Sequence, residues 1–219
     1  MASPLRSSSA SGHESIFSSG GTGNYRQSLD DGSIQLIIGP MFAGKTSELM
    51  RRVKRWQVVK PATVVVLKHE WDNRYDAAKV VNHNGVKSDA HAVATLESAI
   101  PLVENASVIA IDEAQFFSDL VEMVDRWAEE GKVVIVAGLD ADCRRNPFAN
   151  VVGLVHTAES VCKLTAICNM CFQDASFTSR VVYEDKLVLV GAKDAYAPRC
   201  RACFTFPPSA KEEVPTAAK

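Results

Sequence analysis

An α/β fold, a parallel sheet flanked by helices with a small cysteine-rich module behind it, is predicted by three observations. Apolar runs of strand length alternate with helix-period segments, the first run passes into a glycine-lysine-threonine loop, and four cysteines stand in two close pairs near the end of the chain. The runs are Ile34–Ile38, Ala62–Leu67, Val108–Ile111, Val133–Ala137 and Leu164–Ile167. They are nearly continuous in apolar residues, as in parallel strands buried on both faces. Between them, Leu49, Val53 and Trp56 fall on one helical face while Arg51, Arg52 and Arg55 turn away. A second helix is expected from about Asp119 to Glu130, with Leu120, Val124 and Trp127 inward and Gly131 as its stop. Right-handed crossovers then gather the carboxyl ends of the strands along one edge, where ligands bind.

The chain has 219 residues, enough for one good core and a small appended module. It is 47% hydrophobic and 23% charged, with a formal net charge of -2. That balance gives no electrostatic argument for nucleic-acid or membrane partners. No apolar run approaches the ~20 residues that span a bilayer. Residues 1–32 are rich in serine and glycine and read as a disordered tail, and residues 207–219 read as a second. Arg6, with no acid before Ser11, gives the first tail a faint transit-peptide character. Glu14, Asp30 and Asp31, and the lack of an Arg-rich amphipathic helix, favour a cytoplasmic protein instead.

Gly39-Pro40-Met41-Phe42-Ala43-Gly44-Lys45-Thr46 completes the G-x-x-x-x-G-K-[ST] pattern between a strand and a helix. Glycines let backbone N–H groups turn onto a polyphosphate, and the following helix aims its positive end at the same anion. Lys45 adds a charge at the β and γ phosphates, and the Thr46 hydroxyl suits Mg²⁺. The pattern predicts a nucleoside triphosphate bound along residues 39–46. Val108–Ile111 then runs into Asp112-Glu113-Ala114-Gln115. An apolar strand ending in a carboxylate is the Walker-B arrangement, so Asp112 is expected on the Mg²⁺ held by Thr46. Glu113, just past the strand end, is the natural general base for an attacking hydroxyl.

Cys168 and Cys171 form one C-x-x-C pair, Cys200 and Cys203 another. Two such knuckles close a tetrahedral Zn²⁺ site, and four thiolates leave no open position, so the zinc is expected to be structural. The intervening residues are expected to form a hairpin, Arg180–Tyr183 with Lys186–Val190, and a loop from Gly191 to Pro198. Cys143 and Cys162 are left as buried free thiols.

Taken in order, Gly39–Thr46, Asp112–Phe117, Ala137-Gly138-Leu139-Asp140 and the cysteine pairs flanking Gly191–Tyr196 resemble the type-II, zinc-containing thymidine kinases over residues 33–206. The resemblance implies a P-loop, recombinase-like domain at 33–167 and a zinc-binding lasso module at 168–206 acting as a lid. It implies transfer of the ATP γ-phosphate to the 5′-hydroxyl of thymidine or deoxyuridine, in deoxynucleotide salvage for DNA synthesis. A homotetramer with feedback inhibition by thymidine triphosphate is implied with it. So are the roles of Asp72, helping to organise the hydrated Mg²⁺, and Arg74, neutralising the transferring phosphate beside Lys45. The implied thymidine pocket uses Met41, Phe116, Leu139, Phe148 and Thr178, with Leu187, Leu189, Gly191 and Tyr196 in the lid.

Two departures stand out. Cys143 occupies a position where family members usually carry an aromatic ring over the nucleoside, which removes about 1 kcal/mol of stacking. Ala114 replaces a frequent glycine. Two other functions fit parts of the pattern: an inactive or regulatory relative, and a nucleic-acid-dependent ATPase. Against the latter, one P-loop domain is too few for a helicase, and the basic residues after position 167 are scattered. No Asn-Lys-x-Asp motif supports a GTPase.

Overall fold

Six parallel strands form the sheet on which everything else is mounted. In a computed structural model, residues 32–58, 63–71, 79–81, 87–181 and 195–204 are described. The main strands are β1 (Ser33–Ile38), β2 (Val64–His69), and, after the small antiparallel pair β3 (Lys79–Val81) and β4 (Lys87–Asp89), β5 (His91–Val93). They continue with β6 (Val108–Asp112), β7 (Val133–Gly138) and β8 (Ser160–Lys163). Their spatial order is β5-β2-β6-β7-β1-β8.

The strands are apolar throughout because both faces are covered. Leu36, Leu67, Ile109, Ile111, Val134 and Val136 pack against Leu120, Val124 and Trp127 of helix α3 (Leu120–Glu129). Short α2 (Ile100–Val103) adds to the same layer. On the other face Ile37, Val66, Val108, Ala110, Ile135 and Ala137 meet Leu49, Met50 and Val53 of α1 (Lys45–Gln57). Alternate residues of one strand thus serve two cores, and no polar period survives in the sequence. Gly131 ends α3 with φ 86, a left-handed turn that a side chain resists.

The expected strand at Leu164–Ile167 is corrected. The sixth strand of the sheet is Ser160–Lys163, an edge strand paired with Gln35–Ile38. Val161 and Lys163 are exposed and Ser160 and Cys162 half-buried, so its sequence lacks the apolar run of the inner strands. Leu164 continues the ladder for one bond, its N–H donating to the Ile38 carbonyl at 2.8 Å. The chain then leaves the sheet to form β9 (Ala166–Ile167), antiparallel to β10 (Asp174–Ala175). The strand expected at Ala62–Leu67 lies two residues later, and β5 was not anticipated at all. Most of the hairpin expected around Glu184-Asp185 lies outside the described residues. Among the latter, β11 (Phe177–Arg180) pairs with β12 (Tyr196–Arg199), so Tyr196–Pro198, expected as the end of a loop, is strand. Cys162 is half-buried, not buried as expected, whereas Cys143 is 4% exposed.

Arg52 does not turn away from the protein as expected. It donates to Gln35 on β1 at 3.1 Å and to Glu48 at 2.9 Å, while Arg51 donates to Glu48 at 2.7 Å. Arg51 first, and Arg52, hold the Glu48 carboxyl down from its ordinary 4.5 to about 2. A carboxylate with a depressed folded pKa stabilises above its unfolded value, and that contribution fades as pH falls from about 4.5 to about 2. Arg51 is 64% exposed, so solvent screening leaves about 1 kcal/mol. Glu48→Gln is therefore expected to lower urea-unfolding stability by about 1 kcal/mol at pH 7, with the difference shrinking steadily below pH 4.5.

Candidate active site

The loop between β1 and α1 is shaped by Gly39, whose φ is 143. A Cβ there would lie 2.4 Å from the Leu164 backbone carbonyl oxygen, so the loop passes where no side chain fits. Gly39→Ala is expected to destabilise the protein by more than about 2 kcal/mol and to weaken nucleotide binding, measured by unfolding and ATP titration. Lys45 opens α1 and donates from Nζ to the Pro40 carbonyl at 2.8 Å, holding its ammonium inside the loop. The Met41 N–H donates to Thr178 Oγ1 at 3.0 Å, joining the loop to β11. Thr178 is only 5% exposed, so its hydroxyl supports the loop backbone from within.

Strand β6 lies two positions from β1, with β7 between them. Adjacent strands are about 4.8 Å apart, so β1 and β6 leave a gap of about 10 Å over the end of β7. The first turn of α1 reaches across it. Thr46 Oγ1 donates to Asp112, 2.9 Å from Oδ2 and 3.2 Å from Oδ1. A hydroxyl and a carboxylate oxygen converge here, and hard oxygen donors are the set that suits Mg²⁺.

Glu113 follows with φ 51 and ψ 43, a left-handed conformation unfavourable for a side chain. Its own N–H donates to Asp112 Oδ1 at 3.1 Å. Strain of this kind is retained where the surroundings over-determine it, and it turns the Glu113 side chain off the line of the strand. Gln115, which sequence reasoning missed, completes the arrangement. Its Nε2 donates to Glu113 Oε2 at 2.6 Å, and its Oε1 accepts the Leu139 N–H at 3.0 Å. One buried amide thereby ties the end of β6 to the end of β7. Asn150, at the start of α4 (Ala149–Gly153), donates to the Gln115 and Phe117 carbonyls at 3.1 and 2.8 Å.

The residues expected around a nucleoside are distributed unequally. Phe116 is half-buried beside the rings of His69 and Trp71, at 5.8 and 6.2 Å between centroids. Leu139 is fixed by Gln115, and Phe148 packs against the α3 core. Tyr196 accepts a hydrogen bond at its hydroxyl from Arg180 Nη2 at 3.1 Å. Asp72, Arg74, Leu187, Leu189 and Gly191 lie outside the described residues. His69, 5% exposed, also gave no signal in the sequence; its Nδ1 accepts the Trp71 N–H at 3.1 Å. Burial raises the thiol pKa of Cys143.

At the other end of β9, the sulfurs of Cys168, Cys171, Cys200 and Cys203 all lie within 4.8 Å of one another. Four thiolates at about 2.3 Å from a tetrahedral ion stand about 3.8 Å apart, and Cys171 and Cys200 are 3.6 Å apart here. The cluster could hold zinc. Burial acts to raise the Cys168 thiol, but amides of Cys200, Met170 and Cys171 outweigh it and bring it down to about 6. Cys203, beside Cys171 and Cys200, is pushed up to about 12. So many sulfurs resist ionising together without a cation among them.

A sequence profile described as thymidine kinase matches residues 32–204. The chain belongs to the thymidine kinase family. Thymidine kinases of monkeypox virus and variola virus are each 44% identical to it over 176 residues, 80% of this chain and 98% of theirs. That of vaccinia virus strain Ankara is 43% identical over the same length. The thymidine kinase match spans the sheet and the cysteine cluster alike, so both belong to the family's common body. Among the described residues no helix is long and apolar enough to cross a membrane.

Proposed function

We propose that this protein is an ATP-dependent kinase that phosphorylates the 5′-hydroxyl of thymidine, with deoxyuridine as a second acceptor. The observation that carries the reading is Glu113, held at the end of β6 next to the Thr46–Asp112 pair, in a chain of the thymidine kinase family. Residues 39–46 cradle the triphosphate, and Lys45 leaves the Pro40 carbonyl to meet the β and γ phosphates. Thr46 and Asp112, with Asp72, would hold Mg²⁺, which would supply positive charge against the transferring phosphate. The Glu113 carboxylate accepts the proton of the 5′-hydroxyl as its oxygen attacks the γ-phosphorus and ADP leaves, while Arg74 offsets the charge that builds on the phosphoryl oxygens. Gln115 keeps Glu113 aimed, and Leu139, tied to the same amide, helps wall the nucleoside together with Met41, Phe116 and Phe148. Thr178 supports that wall through Met41.

The proposal extends to the assembly. The Zn²⁺-pinned module at 168–206, with Leu187, Leu189, Gly191 and Tyr196, closes over the nucleoside as a lid on the domain at 33–167. The homotetramer and feedback inhibition by thymidine triphosphate rest on the family resemblance. A cytoplasmic location suits four thiols kept as metal ligands. The test is ADP release from Mg-ATP with thymidine, deoxyuridine, deoxycytidine, single-stranded DNA or nothing added. Stimulation by thymidine with thymidine monophosphate as product is expected. Stimulation by DNA alone, or silence throughout in zinc-loaded protein that binds ATP, overturns the reading.

A further inference from the structure

Strands β7 and β8 are not neighbours in the sheet; β1 runs between them. An ion pair nevertheless joins the two, with Lys163 Nζ 2.7 Å from Asp140 Oδ2 and the carboxylate side chain only 13% exposed. Register locates this bridge. Ile38, the last residue of β1, is level with Gly138 on β7 and with Lys163 on β8. Asp140 stands two residues past Gly138, so the pair spans the end of β1. The next residue of the spanned strand is Gly39, where the phosphate loop begins. A Cβ on Gly39 would meet the carbonyl oxygen of Leu164, the residue after Lys163, at 2.4 Å. The Leu164 N–H in turn donates to the Ile38 carbonyl at 2.8 Å. The backbone at residue 164 is therefore a wall of the loop's first turn. That wall hangs on an edge strand, bonded on one side only, and weakly held strand ends open first. The Asp140 side is firmer: its carbonyl accepts the Phe148 N–H at 3.1 Å, and the preceding Leu139 N–H is held by Gln115 at 3.0 Å.

We infer that Asp140 and Lys163 are a positioning pair for the nucleotide site. The pair clamps the end of β8 onto β1 and, through the Leu164 backbone, keeps the first turn of the phosphate loop in its nucleotide-ready shape. Neither side chain has to touch the nucleotide. The inference rests on residues 39–46 as the ATP site. An ion pair this exposed shifts an equilibrium several-fold, not by orders of magnitude. That is too little to unfold a six-stranded sheet, but enough to change how often one strand end opens. Each opening removes the formed loop, and apparent ATP affinity falls with the fraction of protein that keeps it.

The test is hydrogen–deuterium exchange of the Leu164 amide in zinc-loaded, nucleotide-free protein, read by mass spectrometry with fragmentation, beside a Mg-ATP titration without nucleoside. Lys163→Met is expected to speed Leu164 exchange about fivefold, with inner-strand amides and the melting curve little moved. ATP binding should weaken about twofold to fivefold, and in turnover the KM for ATP should rise while kcat holds. Asp140→Asn should do the same, the double variant no more than either single one, and Lys163→Arg should match wild type. If Asp140→Asn does not fold, the contrast between Lys163→Met and Lys163→Arg still decides, because the Lys163 side chain is 52% exposed. Unchanged Leu164 exchange in Lys163→Met overturns the inference. So do single effects that add in the double variant, which would make Lys163 a direct phosphate contact. These failures leave the kinase reading standing. Absence of ATP binding by wild type would overturn the loop assignment itself, and the inference with it.

Discussion

Glu113→Gln is expected to bind ATP as wild type does and to lose turnover by about 10²- to 10⁴-fold, the range for removing a positioned general base. The substitution is nearly isosteric, and the backbone that places residue 113 is fixed independently of its carboxylate. Its N–H is held by Asp112 and its neighbour Gln115 is anchored on Leu139. What changes is the chemistry of the side chain: an amide has no lone pair basic enough to take the 5′-hydroxyl proton. The loss should therefore appear in kcat with the KM for ATP unchanged, measured by steady-state ADP release alongside ATP titration. Turnover within a few-fold of wild type would remove Glu113 as the base. Gln115→Leu adds a graded companion, because it frees Glu113 without deleting it. A smaller loss is expected, in kcat more than in ATP binding.

Cys168→Ser should be the most damaging single change outside the nucleotide site. Cys168 is fully buried, shares a small core with Ala166 and Ala175, and is brought by neighbouring amides to about 6, ready to act as a thiolate. A serine oxygen at that position is a poor ligand for a zinc ion otherwise held by sulfur, and metal binding free energy in such modules is folding free energy. Wild type is expected to carry about one zinc per chain and the variant little, with an apparent stability loss of several kcal/mol read from thermal melting. A strong chelator should reproduce the loss in the wild type. Ligand thiols must shed protons to bind, so zinc retention should weaken as pH falls. A metal-free wild type, or a serine variant with unchanged melting and activity, would overturn the zinc assignment.

The parts legible in the sequence are those whose chemistry is local. The phosphate loop, the carboxylate at the end of β6 and the cysteine pairs each sit within a few residues, and apolar runs on both-face-buried strands need no partner to be seen. β8 was missed because an edge strand is only half covered, and Val161 and Lys163 face outward. β5 was missed because three residues cannot establish a period. Gln115 and His69 acquire meaning only through what lies across the sheet from them: Leu139 on the segment after β7, and Phe117 at 4.9 Å. A polar residue next to a strand end gives no sign of which neighbour it will find. Thr178 shows the converse, since the resemblance marked its position while the hydrogen bond to Met41 shows how it supports the loop.

That bond has a thermodynamic consequence. Residues 41 and 178 are 137 positions apart in the chain, yet one amide and one hydroxyl make the phosphate loop and the β11–β12 ribbon share a single degree of order. Whatever stiffens one must be felt by the other by an equal factor, since coupling free energy is reciprocal. ATP that steadies the loop will then slow unravelling of the ribbon, and zinc that clamps the ribbon at Cys200 will tighten ATP. Thr178→Val would weaken this thread, and the packing of Ala43 on the small core of Ala166, Cys168 and Ala175 would carry the coupling that remains.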